Sequence, residues 1–251
     1  MWHPFVPKNA EWYRWRLNGA AAYIRRDRDS WQIAFRTIPL GELDDEIGGP
    51  ETAPPPEDLP IIRAWGDGEK VFLHPYLYGK SYILAMGEKL RISPGQQCRF
   101  NVALPPVLKF ELEPGRVLAE ETPFTLSKTF FGPDTMHGEI CHSLPAFPGD
   151  DTAASRATAL IRCEVVLTNK TRTMLEPERI EVNPGPLSVY VRDDRLVTDT
   201  LEIEFMEADC RLKIGKAKNR EQRLVSAGVK YKAGETFARK SMDIIKDITA
   251  I

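Results

Sequence analysis

With 251 residues, 42% of them hydrophobic and 28% charged, the chain can bury a core without disulfide or metal support, and wholesale disorder is excluded. A net charge of −2 excludes general nucleic-acid binding by charge alone. The 20 prolines and 17 glycines favour short strands joined by turns over long helices.

The average charge hides an asymmetry. Residues 211–251 carry 11 Lys/Arg against 4 Asp/Glu, while the rest carry 23 against 32. A basic end on an acidic body is either neutralised within the molecule or across a dimer, or offered to an anionic partner or membrane surface. No run reaches the roughly 18 apolar residues of a spanning helix, so membrane insertion is not expected. The start, Met1-Trp2-His3-Pro4, has no apolar leader, so the expected compartment is the cytoplasm. There Cys98, Cys141, Cys163 and Cys210, none in a CxxC pair, are expected as reduced thiols. Asn169-Lys170-Thr171 matches a glycosylation sequon, which has no consequence in that compartment.

In chain order, an aromatic cluster comes first: Trp2, Phe5, Trp12, Tyr13, Trp15 and Tyr23. Such residues anchor an arm on a sheet or form an interface, and Trp2, Trp12 and Trp15 are the interface candidates. Residues 20–26 and 31–37 flank Asp27-Arg28-Asp29-Ser30 and read as a hairpin. Residues 41–60 hold Gly48-Gly49-Pro50, Pro54-Pro55-Pro56 and five acidic residues between Glu42 and Glu51. They read as a loop whose proline run favours polyproline II, a ligand type for other domains.

Strands are expected at 70–74, 82–84 and 89–92. A turn at Ser93-Pro94-Gly95-Gln96 leads into 98–104; Pro105-Pro106 then interrupts before 107–112. Shorter strands are expected at 122–127 and 138–142, then a loop at 147–155. The clearest strand is 157–167, with Ala157, Ala159, Ile161, Cys163, Val165 and Leu167 on one face and Thr158, Arg162, Glu164 and Thr168 on the other, interrupted by Leu160 and Val166. Strands 178–182 and 187–192 follow. Leu201, Ile203 and Phe205 then alternate with Glu202 and Glu204, and Cys210, Leu212 and Ile214 with Arg211 and Lys213. Val225, Ala227, Val229 and Tyr231 suggest a last strand. Residues 236–248 are the one good helix candidate: Phe237, Ser241, Ile244, Ile245 and Ile248 share a face suited to a sheet end or a partner. The expected fold is an all-β sandwich with a short C-terminal helix, either two halves (1–115 and 116–251) or one domain.

The densest reactive group is His137-Gly138-Glu139-Ile140-Cys141-His142. On a strand His137, Glu139 and Cys141 share one face and His142 takes the other. All are competent zinc ligands, so they are the metal-site candidates, although the spacing matches no established zinc motif. The alternative is ordinary strand residues around a buried cysteine. No nucleophile elbow, phosphate loop or dinucleotide fingerprint is present, so no catalytic residue and no cofactor is assigned. Asp44-Asp45-Glu46, Asp150-Asp151 and Asp193-Asp194 read as solvated turn residues, without the alternating ligands of a calcium loop.

Three groups of segments resemble the family known as domain of unknown function 432. They are Phe124-Thr125-Leu126-Ser127-Lys128 with Phe131-Gly132-Pro133 and Gly138-Glu139-Ile140-Cys141; Val166 to Thr171 with Glu178-Arg179-Ile180; and Leu187-Ser188-Val189-Tyr190 with Leu201 to Phe205 and Glu207-Ala208. The resemblance covers residues 70–215 and leaves 41–60 and the basic end peripheral. It implies an all-β protein of archaea and bacteria with no established activity, encoded in some cases beside small mechanosensitive-type channels. The leading expectation is a non-catalytic binding or regulatory module acting through protein contacts, with a membrane channel as one partner and a homo-oligomer as another outcome. The rivals are a metal-dependent enzyme at His137, Glu139, Cys141 and His142, and a small-ligand or carbohydrate binder using exposed tryptophans.

Overall fold

Alternating burial, the mark of a half-buried strand, recurs at Trp12–Leu17, Gln97–Leu104 and Thr200–Phe205. A computed structural model describes residues 2–17, 20–39, 47–113, 115–132, 138–148, 160–193, 195–207, 210–215 and 223–228. Among the described residues every regular element is a strand.

The first sheet has the spatial order β5 (Ile47–Thr52), β1 (Trp12–Leu17), β2 (Ala21–Asp27), β3 (Ser30–Arg36), β6 (Ile62–Trp65), all antiparallel. The second has β11 (Val117–Glu121), β10 (Val107–Glu111), β7 (Phe72–Tyr76). A two-residue parallel pair, β12 (Phe124–Thr125) with β4 (Ile38–Pro39), stands apart. The third sheet has β13 (Ser127–Phe131), β14 (Glu139–Ala146), β8 (Tyr82–Met86), β16 (Arg179–Val182). The largest runs β20 (Cys210–Gly215), β19 (Thr200–Phe205), β15 (Ile161–Asn169), β18 (Arg195–Thr198), β17 (Val189–Arg192), β21 (Arg223–Ser226). Here β9 (Gln97–Leu104) pairs antiparallel with β15.

One continuous apolar cluster joins the four larger sheets, with Trp15, Trp31, Tyr82, Phe110, Leu104 and Ile161 among its fully buried members. It takes residues from both sides of position 115, which lies in the turn between the paired strands β10 and β11. In β15 the expected face of Ile161, Cys163, Val165 and Leu167 is buried. The 27–30 hairpin forms with Asp27 opposite Ser30 and Arg28 at φ 56°. Ser93-Pro94-Gly95-Gln96 closes with the Gln96 N–H donating to the Ser93 carbonyl at 3.0 Å. Gly95 sits at φ 76°, which a turn with proline second and glycine third requires.

Two expectations change. Residues 41–60 are not all loop, because residues 47–52 form β5 against β1. Pro50 and its glycines are tolerated there because β5 is an edge strand, and the register slips by one residue between Arg14 and Arg16. Residues 53–61 then lead to β6 at the opposite edge, and on the way Leu59 packs on the buried cluster of Ala21, Tyr23 and Ala34. The proline-rich segment is thus an internal strap. Residues 89–92 form no strand beyond a single bridge from Ile92 to Leu175. The proposed helix at 236–248, the 157–159 end of the clearest strand and Val229 and Tyr231 lie outside the described residues.

Candidate functional site

Strand β14 carries the described members of the reactive group, and its pairing decides what they meet. Antiparallel β13 sets Lys128 opposite His142, Thr129 opposite Cys141 and Phe130 opposite Ile140. Parallel β8 sets Tyr82 beside His142. Successive side chains therefore fall on two different faces.

On one face Glu139 and Cys141 meet, as their spacing predicts. The Cys141 Sγ lies 3.9 Å from Glu139 Oε1, which also accepts a hydrogen bond from Ser81 Oγ at 3.0 Å. Cys141 packs with Ile83 and Phe131, and the Arg179 guanidinium lies 5.0 Å from the Phe131 ring centre. Burial, then the Glu139 and Glu181 carboxylates, push the Cys141 thiol up to about 12 against the pull of Arg179. At neutral pH it is a protonated core thiol, not an activated nucleophile.

His142 occupies the opposite face, as expected, so it cannot join Glu139 and Cys141 around one ion. Its ring lies edge-on to Tyr78 at 4.6 Å and tilted to Tyr82 at 6.3 Å. It is 6% exposed, and both ring nitrogens are buried. Burial, followed by the Lys80 and Lys128 charges, lowers its pKa, while a hydrogen bond with the Ser127 main chain opposes them. His137 lies outside the described residues. Among the described residues no group of three or more His, Cys, Asp or Glu is placed to hold a metal ion.

The interface candidates separate by burial. Trp2 and Trp15 are core residues, and Phe5 stacks edge-on against Trp15 at 5.5 Å. Arg223 donates a hydrogen bond to the Trp2 carbonyl, tying the N-terminal arm to β21. Trp12 is half-buried and packs on the Ala21, Tyr23 and Ala34 cluster. Phe237, Ile244, Ile245 and Ile248 lie outside the described residues. Among the described residues the most exposed aromatic is instead Trp65 on β6, 75% exposed, beside exposed Ile61 and Ile62.

Sequence reasoning also missed a buried polar group on β7 and β10. His74 Nδ1 lies 2.7 Å from Glu111 Oε2, and the Tyr76 hydroxyl donates to the same carboxyl at 3.0 Å. Glu111 is 1% exposed. Burial and Glu111 push the Tyr76 phenol up to about 12. The available signals were His74 and Tyr76 two apart on a strand and one acidic residue ending the apolar run at 107–112.

The family model described as a protein of unknown function, DUF432, matches residues 1–245. The chain belongs to this family. The DUF432 match is wider than the 70–215 read from the sequence. It takes in the strap, β5 and most of the basic end, so these are parts of the family pattern and not peripheral. No curated protein and no solved structure matches this DUF432 chain. Among its described residues no helix is long and apolar enough to cross a membrane.

Proposed function

We propose that this protein is a non-catalytic β-sandwich module that binds a partner protein by accepting one of its extended segments at the free edge of β6. The observation that carries the reading is that edge. Among the described residues β6 pairs with β3 alone. The Gly66 N–H donates to the Asp29 carbonyl, so by alternation the main-chain groups of Arg63 and Trp65 face away from β3. Unpaired main-chain groups beside exposed Ile61, Ile62 and Trp65 are the features used in strand addition, where the backbone supplies affinity and alternate side chains supply specificity. Trp65 would serve as the anchor.

The partner in this reading is a membrane channel, with the basic residues after 211 facing its anionic lipid. A second copy of the chain is the other outcome the test distinguishes. The test is capture of the partner from the native cells in mild detergent, with wild-type protein, Trp65→Ala and Arg63→Pro. Proline at an outward-facing edge position leaves the β3 pairing intact while removing one free donor. A stoichiometric protein lost with both variants is expected. Capture that neither variant changes would sink the edge reading, and capture of the chain itself would replace it with self-pairing.

A further inference from the structure

The edge of β6 also carries information about the segment it takes. Side chains directly opposite one another across a sheet share a face, so rows can be followed from strand to strand. The row Tyr13, Ile24, Ile33, Ile62 faces the core. Its first three members are buried, but Ile62, at the edge, is 38% exposed. The apolar row thus runs out before it is covered. Ala64 lies on the same face, opposite buried Trp31.

Arg63 belongs to the other face. Its row runs Trp12, Arg25, Gln32, Arg63 and holds no acid. Arg14, Arg16 and Arg36 share that face, where Asp27 and Glu51 are the acidic residues among those described. Glu57 and Asp58 precede Leu59 on the strap that packs there, and neither pairs with an arginine among the described residues. Arg25 and Arg63 likewise form no ion pair among them. The opposite edge of the sheet shows how this face is completed. There β5 sets Glu51 across from Arg14, 2.6 Å from its guanidinium and 3.1 Å from that of Arg16. Beyond Arg63 no described strand supplies such an acid, because β6 ends the sheet.

We propose that the segment accepted at β6 is an antiparallel strand with an acidic residue opposite Arg63 and apolar residues on both sides of it. This rests on the edge reading above and adds the chemistry of the partner. Every pairing within the sheet is antiparallel, which sets the direction. The acid does at this edge what Glu51 does at the other. The apolar residues, opposite Ile62 and Ala64, carry the core rows one strand outward and cover Ile62.

The test is titration of the ¹⁵N-labelled full chain with three capped heptapeptides, Thr-Thr-Val-Glu-Val-Thr-Thr and its versions with glutamine or lysine at the centre. Affinity is read from the Trp65 indole signal, and edge pairing from slowed amide exchange at Arg63 and Trp65. The glutamate peptide should bind about fivefold or more tighter than the lysine peptide, with glutamine between, since a cross-strand attraction is exchanged for a repulsion. Arg63→Glu, at an exposed position, should reverse that order. Equal affinities with slowed exchange at Arg63 and Trp65 would overturn this inference and leave the edge reading standing, as would an order that Arg63→Glu does not change. Unslowed exchange with every peptide would overturn the edge reading, and this inference with it.

Discussion

Cys141 and Cys163 keep their protons because burial, more than any neighbour, raises both thiols to about 12. Cys98 is only partly buried and its thiol is raised less far. Since only the thiolate attacks, a small alkylating reagent at pH 8 should modify Cys98 first and Cys141 and Cys163 more than about tenfold more slowly. Timed quenching with peptide mass spectrometry measures this, and comparable rates at the three sites would show that the core opens readily. At this scale the sequence was informative about direction. Period two placed Glu139 and Cys141 together and His142 opposite. It was silent about Ser81, Lys80 and Tyr78, which reach the group only because β14 lies parallel to β8, a pairing that no local pattern encodes.

Strands β7 and β10 are joined by more than their ladder. His74 and Tyr76 on one hold the Glu111 carboxyl on the other, out of water. Tyr76→Phe removes one donor and leaves that carboxyl undersupplied, so a loss of about 1–3 kcal/mol is expected. Urea denaturation measures it, and His74→Ala should lose more because it also vacates a packed position. A neutral Tyr76→Phe would mean that water or His74 alone satisfies Glu111. Elements such as the 27–30 hairpin, the turn at Gly95 and β15 were legible because each is specified locally by turn chemistry and alternation. β5 was not, since its glycines and proline argue against a strand everywhere except at an edge, and edge position is a property of the assembled sheet. β6 escaped notice because its four residues, Ile62–Trp65, are too short to show alternation after a proline-rich stretch.

One apolar cluster runs through all four larger sheets, so the described part of the molecule is expected to unfold as one unit. Thermal or urea unfolding followed by near- and far-ultraviolet circular dichroism should therefore give coincident single transitions. Trp2→Ala, at a site 3% exposed, should shift both together by about 3–5 kcal/mol, whereas a shift in one signal alone would reveal two separable units. Fold class was readable from composition and alternation. Sheet order was not, because β15 pairs with β9, β18 and β19 across long stretches of chain.

The hydrogen bond between Arg223 and the Trp2 carbonyl joins residues 221 positions apart in the chain. During synthesis Arg223 emerges well after Trp2, with a delay on the order of 10–45 s at ordinary translation rates. Through that interval the aromatic arm, built for the interior, waits on the growing chain without its last fastening. The arm's cover is thus a matter of timing in the cell as well as of packing, and the nascent chain is the form most exposed to mispairing.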